Sequence, residues 1–558
     1  MKQHYIMPVG VDDFRQVREE YYYVDKTDFI KTLIDGHSKA TLITRPRRFG
    51  KTLALSTLYY FFTIENKEEN RALFEGTAVE KADEKYMAFQ GSKPTIFVSL
   101  KDVKQANYSD MIERFSLLMQ KVYFSYEYLL ESKCLNKQEQ EYFASIINLC
   151  ANDVKLQDSL KNLTTWLNRY HKKPALILID EYDAPIQYAF DYGYYDEAIT
   201  FMRNYLSATL KSNPDLDFAI LTGVLRIAKE SIFSSLNNLE VASVASGRYQ
   251  NVMGFDDNEI KQITVDFHCP EKLAEIKKWY DGYNFSGTNI YNPWSVINYV
   301  LHDCRPSIYW LNTSGNSILK ELLKRTDKKQ SQELRSLLQG GSVSVTIDEG
   351  VIYSDIYKNR NALYTMLLTT GYLTQASKIN TDDYDDTLEL RIPNREIRTV
   401  YEKEIINRIE EMDGNPKLLY LLKALLSGDT ESFSEELNDY LLTLVSYYDT
   451  ANRESFYHGF VLGLMALLSK KYKVLSNRES GYGRFDIAIF PEDKTKNGVI
   501  MEFKVAGTES DLSPTAEVAL SQIDDMKYMA EFKNEGIDNV WKYGIAFCGK
   551  KCEIATKV

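Results

Sequence analysis

Three consecutive residues, Gly50-Lys51-Thr52, follow an apolar run and a basic loop and precede a second apolar stretch, an order suited to phosphate binding. A strand, a loop and a helix in this order let successive backbone N–H groups surround phosphate oxygens at the positive end of the helix dipole. Lys51 would reach the β- and γ-phosphates of a nucleoside triphosphate, and the Thr52 hydroxyl would ligate Mg²⁺. A complete GxxxxGK[ST] pattern would have glycine in place of Arg45, so this interpretation needs support from elsewhere in the chain.

That support comes from residues 174–185, which read PALILIDEYDAP, an apolar strand pattern closed by two acids. Asp180 would hold the Mg²⁺ through water, and Glu181 would polarise the attacking water as a general base. The loop and this later strand together predict a site for a nucleoside triphosphate with Mg²⁺.

Four further polar residues could respond to the nucleotide. Thr222 lies near the end of the apolar run FAILTGVL, where it could sense the γ-phosphate, and Arg226 follows at the start of a helical pattern. A hydroxyl that caps the next helix and a surface arginine remain the alternatives. Arg47 and Arg48 in the loop could neutralise phosphate charge, or could form a solvated basic turn.

A second set of chemically suggestive residues lies in two strand-like runs, RFDIAIF at 484–490 and GVIMEFKV at 498–505, joined by a polar turn. Alternate side chains of a strand share a face, so Glu502 and Lys504 project together, and pairing of the runs can bring Asp486 beside them. Two carboxylates offer hard oxygen ligands to Mg²⁺ or Mn²⁺, and the lysine can help to activate an attacking water.

These charges could instead face solvent from an edge hairpin, which is the structural alternative. The apolar run before Glu502 predicts burial on both faces, and a buried carboxylate is costly unless a metal or a cation compensates it. The spacing therefore favours a metal site, to which the Phe503 carbonyl would add a further oxygen ligand.

Other polar residues flank this hairpin. Glu479 could bind a second metal or orient the first ligands. Gln522 and Tyr528, on an amphipathic helix that follows, could touch a phosphate backbone. For these three residues, and for His458 on the preceding helix, a packing or surface role is at least as good an interpretation.

Composition places the chain among ordinary globular proteins. With 558 residues it should form about three or four domains, and its 44% apolar and 26% charged residues are typical of a soluble protein. No apolar run reaches membrane-spanning length, the N-terminal stretch lacks a signal-peptide pattern, and six scattered cysteines predict reduced thiols. We therefore expect a cytoplasmic protein. Its net charge of −12 excludes a generally basic surface, so any nucleic-acid contact should be local and salt-sensitive.

The elements that must position the first site are apolar runs at 95–100, 174–180 and 218–225, separated by helical patterns. This alternation predicts a parallel, three-layer α/β sheet with a mostly helical insertion at 101–173. From 254 to 412 the pattern changes to helices and aromatic loops, in which packing is favoured over base stacking. A strand, a proline turn and a helix over 388–401 suggest a small winged module there.

Ordered blocks at both ends of the chain resemble a family of bacterial proteins that join an AAA-ATPase-like P-loop domain to a PD-(D/E)XK nuclease-superfamily domain. The blocks are YVDKT, RPRRFGKT, IDEYDAPI and LTGVLRIAKESIFSSLNNL at the front, and GRFDIAIF and IMEFK at the back. The resemblance implies that Arg45 is the residue usual at this position of the family's loop, where other P-loops have their first glycine. Phe485 replaces the proline for which the superfamily is named, which removes no ligand.

What the resemblance implies is a set of domains and of residue roles. The expected domains are a P-loop domain at 1–253, a helical middle region with the suggested winged module at 254–412, and a restriction-endonuclease-like α/β domain at 413–558. The implied nucleotide ligands are Gly50, Lys51 and Thr52, and Asp180 and Glu181 would serve Mg²⁺ and water activation. The implied nuclease triad is Asp486, Glu502 and Lys504.

The function that follows is an ATP-binding and ATP-hydrolysing protein coupled to a metal-dependent nuclease that cuts DNA. Its cofactors would be ATP and Mg²⁺, with Mn²⁺ as an option at the nuclease-like site, and its partner would be nucleic acid. A nucleotide-switched binding or signalling protein, whose nuclease-like domain grips nucleic acid or protein without cutting, is the first alternative. An NTPase that remodels a protein partner is the second. A homo-oligomer is possible, because an arginine supplied in trans would require one.

Overall fold

The computed structural model describes residues 6–557 apart from 37, 227–238, 247, 311–318, 320–332, 335, 339, 348–358, 377–386, 413–415, 445–453, 466–467, 469–471, 481–482 and 527. Only the backbone is described at 402, 405–412, 416–419, 443–444, 455–456, 477–480 and 530. The chain forms two compact units, Met1–Tyr401 and Glu402–Val558. The domain boundaries expected at 253 and 412 remain predictions.

The first unit is built on a parallel sheet that contains the strands expected from the apolar runs. In chain order its strands are β1 (Ala40–Thr44), β2 (Thr95–Ser99), β3 (Ala175–Asp180), β4 (Leu216–Gly223) and β5 (Leu239–Ala242). Their spatial order is β2-β3-β4-β1-β5 with every pairing parallel. All residues of β1 and β3 are buried, as expected for parallel strands covered on both faces.

Helices surround this sheet and fill the insertion between β2 and β3. In chain order they are α1 (Phe14–Glu20), α2 (Phe29–Gly36), α3 (Lys51–Phe62), α4 (Lys67–Ala72), α5 (Glu84–Met87), α6 (Tyr108–Phe124), α7 (Tyr128–Glu131), α8 (Lys137–Ile147), α9 (Asp153–Gln157), α10 (Ser159–His171), α11 (Ala184–Tyr192) and α12 (Tyr195–Leu210). The mostly helical character predicted for 101–173 is confirmed. The helical pattern predicted after Arg226 falls on 227–238, outside the described residues.

The rest of the first unit combines helices with small antiparallel sheets. Its helices are α13 (Asp257–Asp266), α14 (Leu273–Tyr280), α15 (Pro293–Leu301), α16 (Arg360–Thr370) and the start of α17 (Arg395–Met412), with a 3₁₀ turn at Pro270–Lys272. Strands β6 (Tyr283–Phe285) and β7 (Thr288–Ile290) pair with each other, and β8 (Val343–Thr346), β9 (Thr374–Gln375) and β10 (Thr387–Arg391) form a sheet in the order β8-β10-β9. The predicted strand, turn and helix over 388–401 are confirmed as β10 and α17.

The second unit has a five-stranded mixed sheet with helices on both faces. Its strands are β11 (Tyr472–Ser480), β12 (Gly483–Pro491), β13 (Gly498–Val505), β14 (Val540–Cys548) and β15 (Lys551–Lys557), in that spatial order, and only β13 and β14 run parallel. Its further helices are α18 (Pro416–Ser427), α19 (Thr430–Leu444), α20 (Glu454–Met465), α21 (Leu512–Asp525) and α22 (Met529–Asn534), with a 3₁₀ turn at Glu509–Asp511.

Two cores hold these layers together. On one face of the sheet, Met501 and Phe503 pack with residues of α18, α19 and α20. On the other face, Ile500 packs with residues of α21 and α22. The α/β fold class predicted for both ends of the chain is confirmed.

Two expectations from composition can be compared with the described ranges. None of the helices there combines the length and the apolar character that a membrane crossing requires. All six cysteines are free, and their reduced state remains a prediction.

Candidate active sites

The first candidate site begins where β1 gives way to α3 through the loop 45–50. Gly50 immediately precedes α3 with φ of 86°, a left-handed conformation that glycine adopts without steric cost. No atom lies within 4 Å of a Cβ built there, so the backbone angle, not space, demands glycine. Arg48 also has positive φ, at 70°. These alternating backbone conformations and the start of α3 suit a loop whose N–H groups face an anion.

Arg45, which stands where a complete motif has glycine, has a structural role. Its side chain is fully buried and donates hydrogen bonds to the carbonyls of Thr44, Ala242 and Tyr249, the last two at 2.8 and 2.6 Å. Burial lowers the pKa of Arg45 to about 10. The guanidinium therefore ties the beginning of the loop to β5 and to the segment that follows it.

Asp180, at the end of β3, is the hub of the first site. The Thr52 hydroxyl donates to one of its carboxylate oxygens at 2.8 Å, and the Thr222 hydroxyl donates to the other at 2.7 Å. The Ser99 hydroxyl is a further donor at 3.3 Å. Because β4 lies between β1 and β3 in the sheet, Thr222 at the end of β4 is placed between the loop helix and Asp180.

Lys51 and Glu181 form an ion pair beside this hub, with 3.2 Å between Nζ and Oε1. The Lys51 side chain is only 3% exposed, and its Nζ also donates to the carbonyls of Arg45 and Pro46. Burial would raise the pKa of Glu181, but the charge and hydrogen bond of Lys51 outweigh it and lower this pKa below its ordinary value. The pKa of Asp180 is raised by burial and by the charge of Glu181.

Asp183 is a further functional candidate that sequence reasoning missed. One of its carboxylate oxygens accepts from the backbone N–H groups of Val224 and Leu225, both at 2.9 Å, and its other oxygen is buried with no hydrogen-bond partner. Burial and the charge of Glu181 raise the pKa of Asp183 to about 6. It fixes the chain just beyond Thr222. Its place in the block IDEYDAPI was the available signal.

A cavity of about 340 Å³ opens from the loop residues Gly50, Lys51 and Thr52 into an apolar recess. Sequence reasoning missed this recess because its walls come from segments that are far apart in the chain. The apolar lining residues include Met7, Val11, Val17, Tyr22, Val24, Phe29, Val252, Met253, Phe255, Ile263, Trp294 and Ile297. A phosphate site continuous with an apolar recess matches the two chemical halves of a nucleotide.

The two loop arginines point to different surroundings. Arg47 donates to the Gln187 side chain at 2.9 Å. Arg48 lies over the indole ring of Trp294, 3.9 Å from its centroid, and donates to the Tyr309 carbonyl at 2.9 Å. Burial lowers the pKa of Arg48 to about 10, against the opposing charge of Glu396. The roles of these arginines toward phosphate remain predictions.

The second candidate site lies where β12 and β13 cease to pair. The two strands are antiparallel, with pairs from Ile489 and Val499 to Ile487 and Met501. The hairpin predicted from the sequence is thus confirmed. Beyond the last pair, the Phe503 N–H donates to an Asp486 carboxylate oxygen at 2.8 Å. The register brings Asp486 next to Glu502 at the point where the ladder ends.

Glu502 is almost fully buried, with 4% of its surface exposed. The Gln522 side-chain amide of α21 donates to one carboxylate oxygen, and the other oxygen is buried with no hydrogen-bond partner. Burial, followed by the charge of Asp486, raises the pKa of Glu502 to about 8. Gln522 therefore contacts the acid, which agrees with the packing alternative stated for it, and its contact with a phosphate backbone remains a prediction.

Lys504 lies two residues beyond Glu502 on the same face of β13, and its charge opposes the pKa increases of both acids. The pKa of Asp486 is raised by burial, with the Phe503 N–H and His458 acting against this rise. The structure thus brings together all three predicted residues of the second site.

Helix α20 contributes a third carboxylate that the sequence did not single out. Glu454 lies one turn before His458, and its charge contributes to the raised pKa of Glu502, while the charge of Asp486 contributes to the raised pKa of Glu454. Partial desolvation raises the pKa of Glu454, and Lys504 is the strongest opposing charge. The spacing of four residues on one helix face could have indicated that Glu454 and His458 act together.

Three other candidate residues belong to elements next to the hairpin. Tyr528 is buried, and its hydroxyl donates to the Arg484 carbonyl at 2.9 Å. The side chain of Glu479 lies outside the described residues. His458 is half-buried and bonds to the Asp486 carbonyl.

Both sites can be tested for their fit to a divalent cation. Within the described ranges, no group of three or more His, Cys, Asp or Glu side chains is arranged to hold a metal ion. A site completed by phosphate, water or a main-chain carbonyl needs fewer side chains, as is usual for Mg²⁺. The donor sets fit such a cation: Thr52 with Asp180 in the first site, and Asp486 with the unpartnered oxygen of Glu502 in the second.

Two family models match the chain, one over each stretch that carries a candidate site. Residues 8–233 match a family described as "Predicted AAA-ATPase", and residues 452–557 match the PD-(D/E)XK nuclease superfamily. The first range contains the loop, Asp180, Glu181 and Thr222, and the second contains the three hairpin residues. The resemblance drawn from the sequence is confirmed at both ends.

A relative that spans nearly the whole chain is found in Azotobacter chroococcum mcd 1. It is 26% identical over 549 residues, which cover 95% of this chain and 94% of the relative. Its description reads "Uncharacterized protein in vnfD 5'region". The similarity extends through the middle region as well as both end domains.

Proposed function

We propose that this chain, which joins an AAA-ATPase-like domain to a PD-(D/E)XK nuclease-superfamily domain, binds and hydrolyses ATP and uses that cycle to control metal-dependent cleavage of DNA. The observation that carries the nuclease half is the unpartnered buried oxygen of Glu502, next to Asp486 and on the same strand face as Lys504. A carboxylate left in this state favours a cation.

At the first site, the triphosphate would lie against the loop and the first turn of α3. Lys51 would leave its ion pair with Glu181 to bind the β- and γ-phosphates, which frees Glu181 to accept a proton from the attacking water. Thr52 and Asp180 would hold Mg²⁺, and Thr222 would report the γ-phosphate. The apolar recess would take the nucleobase.

At the second site, Asp486, Glu502 and the Phe503 carbonyl would hold Mg²⁺ or Mn²⁺. When bound, the cation would supply Lewis-acid activation of water and stabilise charge on the phosphate. Lys504 would counter the negative charge that develops at phosphorus during in-line attack. Gln522 would keep the Glu502 carboxylate in place through its amide hydrogen bond.

Control by nucleotide would begin with contacts of the phosphate loop inside the first unit. Arg48 joins the phosphate loop to Trp294 and Tyr309 of the middle region. The buried Glu396 of α17 accepts from the backbone N–H groups of Tyr309 and Trp310, at 2.8 and 2.9 Å. A phosphate that attracts Arg48 would loosen its contacts with this network, so nucleotide state would alter the middle region.

The test is cleavage of circular and linear DNA, and of RNA, by the full-length chain with Mg²⁺ or Mn²⁺. We expect metal-dependent cutting by the wild type and its loss in Lys504→Ala. Lys494→Ala, which removes a lysine from the exposed hairpin turn, is the matched control and should cut normally.

Absence of cutting on every substrate, with Lys504→Ala behaving as the wild type, would overturn the nuclease proposal. Retained DNA binding by Glu502→Ala in that case would identify a nucleotide-switched binding protein. If Asp486→Ala leaves no metal effect on melting temperature to be lost, the hairpin acids are structural and an NTPase that remodels a protein partner is favoured, because a ligand specific to the native state must stabilise it.

A further inference from the structure

We propose that His458 is a positioning residue of the second site, which holds Asp486 in place where β12 and β13 separate. The proposal rests on the proposed nuclease function for its consequence in catalysis. Its structural part concerns only contacts within the second unit.

The first step is the interruption of the β-ladder. Pairing of β12 with β13 ends at Ile487 and Met501, one residue before the two acids. Beyond that pair, the Phe503 N–H is taken by the Asp486 carboxylate and not by a main-chain carbonyl. On the other edge of β12, β11 pairs with Phe485 and Ile487, but Asp486 itself is in none of the pairs of the described strands. A contact from outside the sheet is therefore needed to fix its main chain and keep its carboxylate in one orientation.

His458 supplies this support. Its Nε2 lies 3.0 Å from the Asp486 carbonyl oxygen. A carbonyl only accepts hydrogen bonds, so Nε2 carries the proton and donates. The imidazole also meets the Phe503 ring edge to face, with 5.9 Å between centroids. One side chain thus contacts the residues on both sides of the gap between the strands.

The helix that carries His458 is firmly attached to the same sheet. Tyr457 stacks on Phe547 with 4.2 Å between ring centroids, and its hydroxyl donates to the Gly549 carbonyl at 2.8 Å. Val461 and Met465, further along α20, are buried in the core beside β13. The imidazole is therefore presented from a rigid element, as a positioning group requires.

Loss of His458 should let the Asp486 peptide rotate and weaken the hydrogen bond between Phe503 and the carboxylate. Partners that orient a metal ligand are typically worth about 10- to 100-fold in metal affinity or activity. Glutamine can place an amide N–H near the position of Nε2, so His458→Gln should restore the contact that His458→Ala removes.

The experiment compares wild type, His458→Ala and His458→Gln as full-length proteins with two measurements. Hydrogen exchange of the Phe503 amide is followed in the metal-free protein, and Mn²⁺ affinity is measured by calorimetry without nucleotide. We expect faster exchange and about 10- to 100-fold weaker Mn²⁺ binding in His458→Ala, with both values restored in His458→Gln. Plasmid cleavage should change in the same order.

His302→Ala is the matched control, because it removes an imidazole that bonds to a backbone carbonyl, that of Asn298 at 2.7 Å, in the first unit. It should leave all readouts unchanged. Wild-type exchange at Phe503 in His458→Ala would overturn the positioning role. So would a folded His458→Gln that exchanges as fast as His458→Ala. If the wild type neither binds Mn²⁺ nor cuts, the proposed function fails, and the exchange result still decides the role of His458.

Discussion

The two candidate sites differ in how their proposed catalytic acids are compensated, Asp180 and Glu181 in the first site and Asp486 and Glu502 in the second. In the first, both oxygens of Asp180 accept hydroxyl hydrogen bonds and Glu181 is paired with Lys51. In the second, one oxygen of Glu502 has no partner and the charge of Asp486 adds to the cost of burial. Asp180 and Glu181 are thus compensated within the chain, although Asp183 beside them also has an unpartnered oxygen. Glu502 is not compensated in this way, and its raised pKa favours a bound proton that a cation would replace.

This difference indicates how each site would meet its ligand. A nucleotide must exchange partners in the first site, because Lys51 and Thr52 are already engaged. A cation can enter the second site without breaking an ion pair of Glu502. We therefore expect the second site to bind a divalent ion on its own, and the first to bind it well only together with a nucleotide.

The largest expected effect comes from removing a ligand from the uncompensated site. Asp486→Asn should lower metal-dependent DNA cleavage by about a thousand-fold, since one ligand charge and the match to the cation are lost. The rate of plasmid nicking with Mn²⁺ measures this. Asp493→Asn, an exposed acid of the hairpin turn, should cut like the wild type.

Breaking the ion pair of the compensated site should separate binding from hydrolysis. Lys51→Ala should weaken ATP binding by about 10- to 150-fold, the value of one hydrogen bond to a charged group. Glu181→Gln should retain ATP binding and lose hydrolysis by about 10²- to 10⁴-fold, because the general base is gone. Fluorescent-nucleotide titration and phosphate release measure the two effects. Equal loss of binding in both variants would contradict the assigned roles.

Glu396 extends the comparison to a carboxylate outside both sites, since it is buried and hydrogen-bonded but belongs to neither acid cluster. Burial raises its pKa from 4.5 to about 7 despite three hydrogen bonds and the charge of Arg48. As pH rises, Glu396 loses its proton near pH 4.5 in the unfolded chain but only near pH 7 in the folded protein. The stability that protonated Glu396 contributes is therefore lost as pH rises from 4.5 through 7.

Glu396→Gln should remove this pH dependence. The free energy of unfolding of the variant minus that of the wild type should increase by up to about 3 kcal/mol as the pH is raised from 5 to 8. Urea unfolding at both pH values measures the difference. An identical pH dependence in the two proteins would show that Glu396 does not titrate in this range.

The smallest expected effect is stabilisation by the cation alone. Mn²⁺ at ten times its dissociation constant should stabilise the native protein by about 1.4 kcal/mol. Asp486→Asn should abolish the accompanying rise in melting temperature, and Asp180→Asn should not. The opposite pattern would place the nucleotide-independent cation in the first site and reverse the comparison.

Sequence patterns predicted the parts of both sites that depend on local order. The loop before α3, the strand ending at Asp180 and the hairpin carrying Asp486 and Glu502 are each encoded within a few consecutive residues. Apolar runs, turn residues and alternating faces are sufficient signals for such elements.

Contacts made by distant segments could not be predicted in this way. Two hydrogen bonds depend on how α21 and α20 pack on opposite faces of one sheet. They join Gln522 to Glu502 and His458 to Asp486. The apolar recess depends on several separated segments, and the burial of Arg45 depends on where β5 lies. Periodicity reports which face is buried but not which side chain it meets.

One measurement tests most directly the claim that a compensated nucleotide site controls an uncompensated nuclease site. The rate of Mn²⁺-dependent plasmid cleavage would be recorded as ATP is titrated, for the wild type and for Lys51→Ala. We predict that ATP changes the wild-type rate over the concentration range in which it binds, and that Lys51→Ala cuts at a rate indifferent to ATP over that range. Cleavage that ignores ATP in both proteins, or no cleavage in either, would contradict the account.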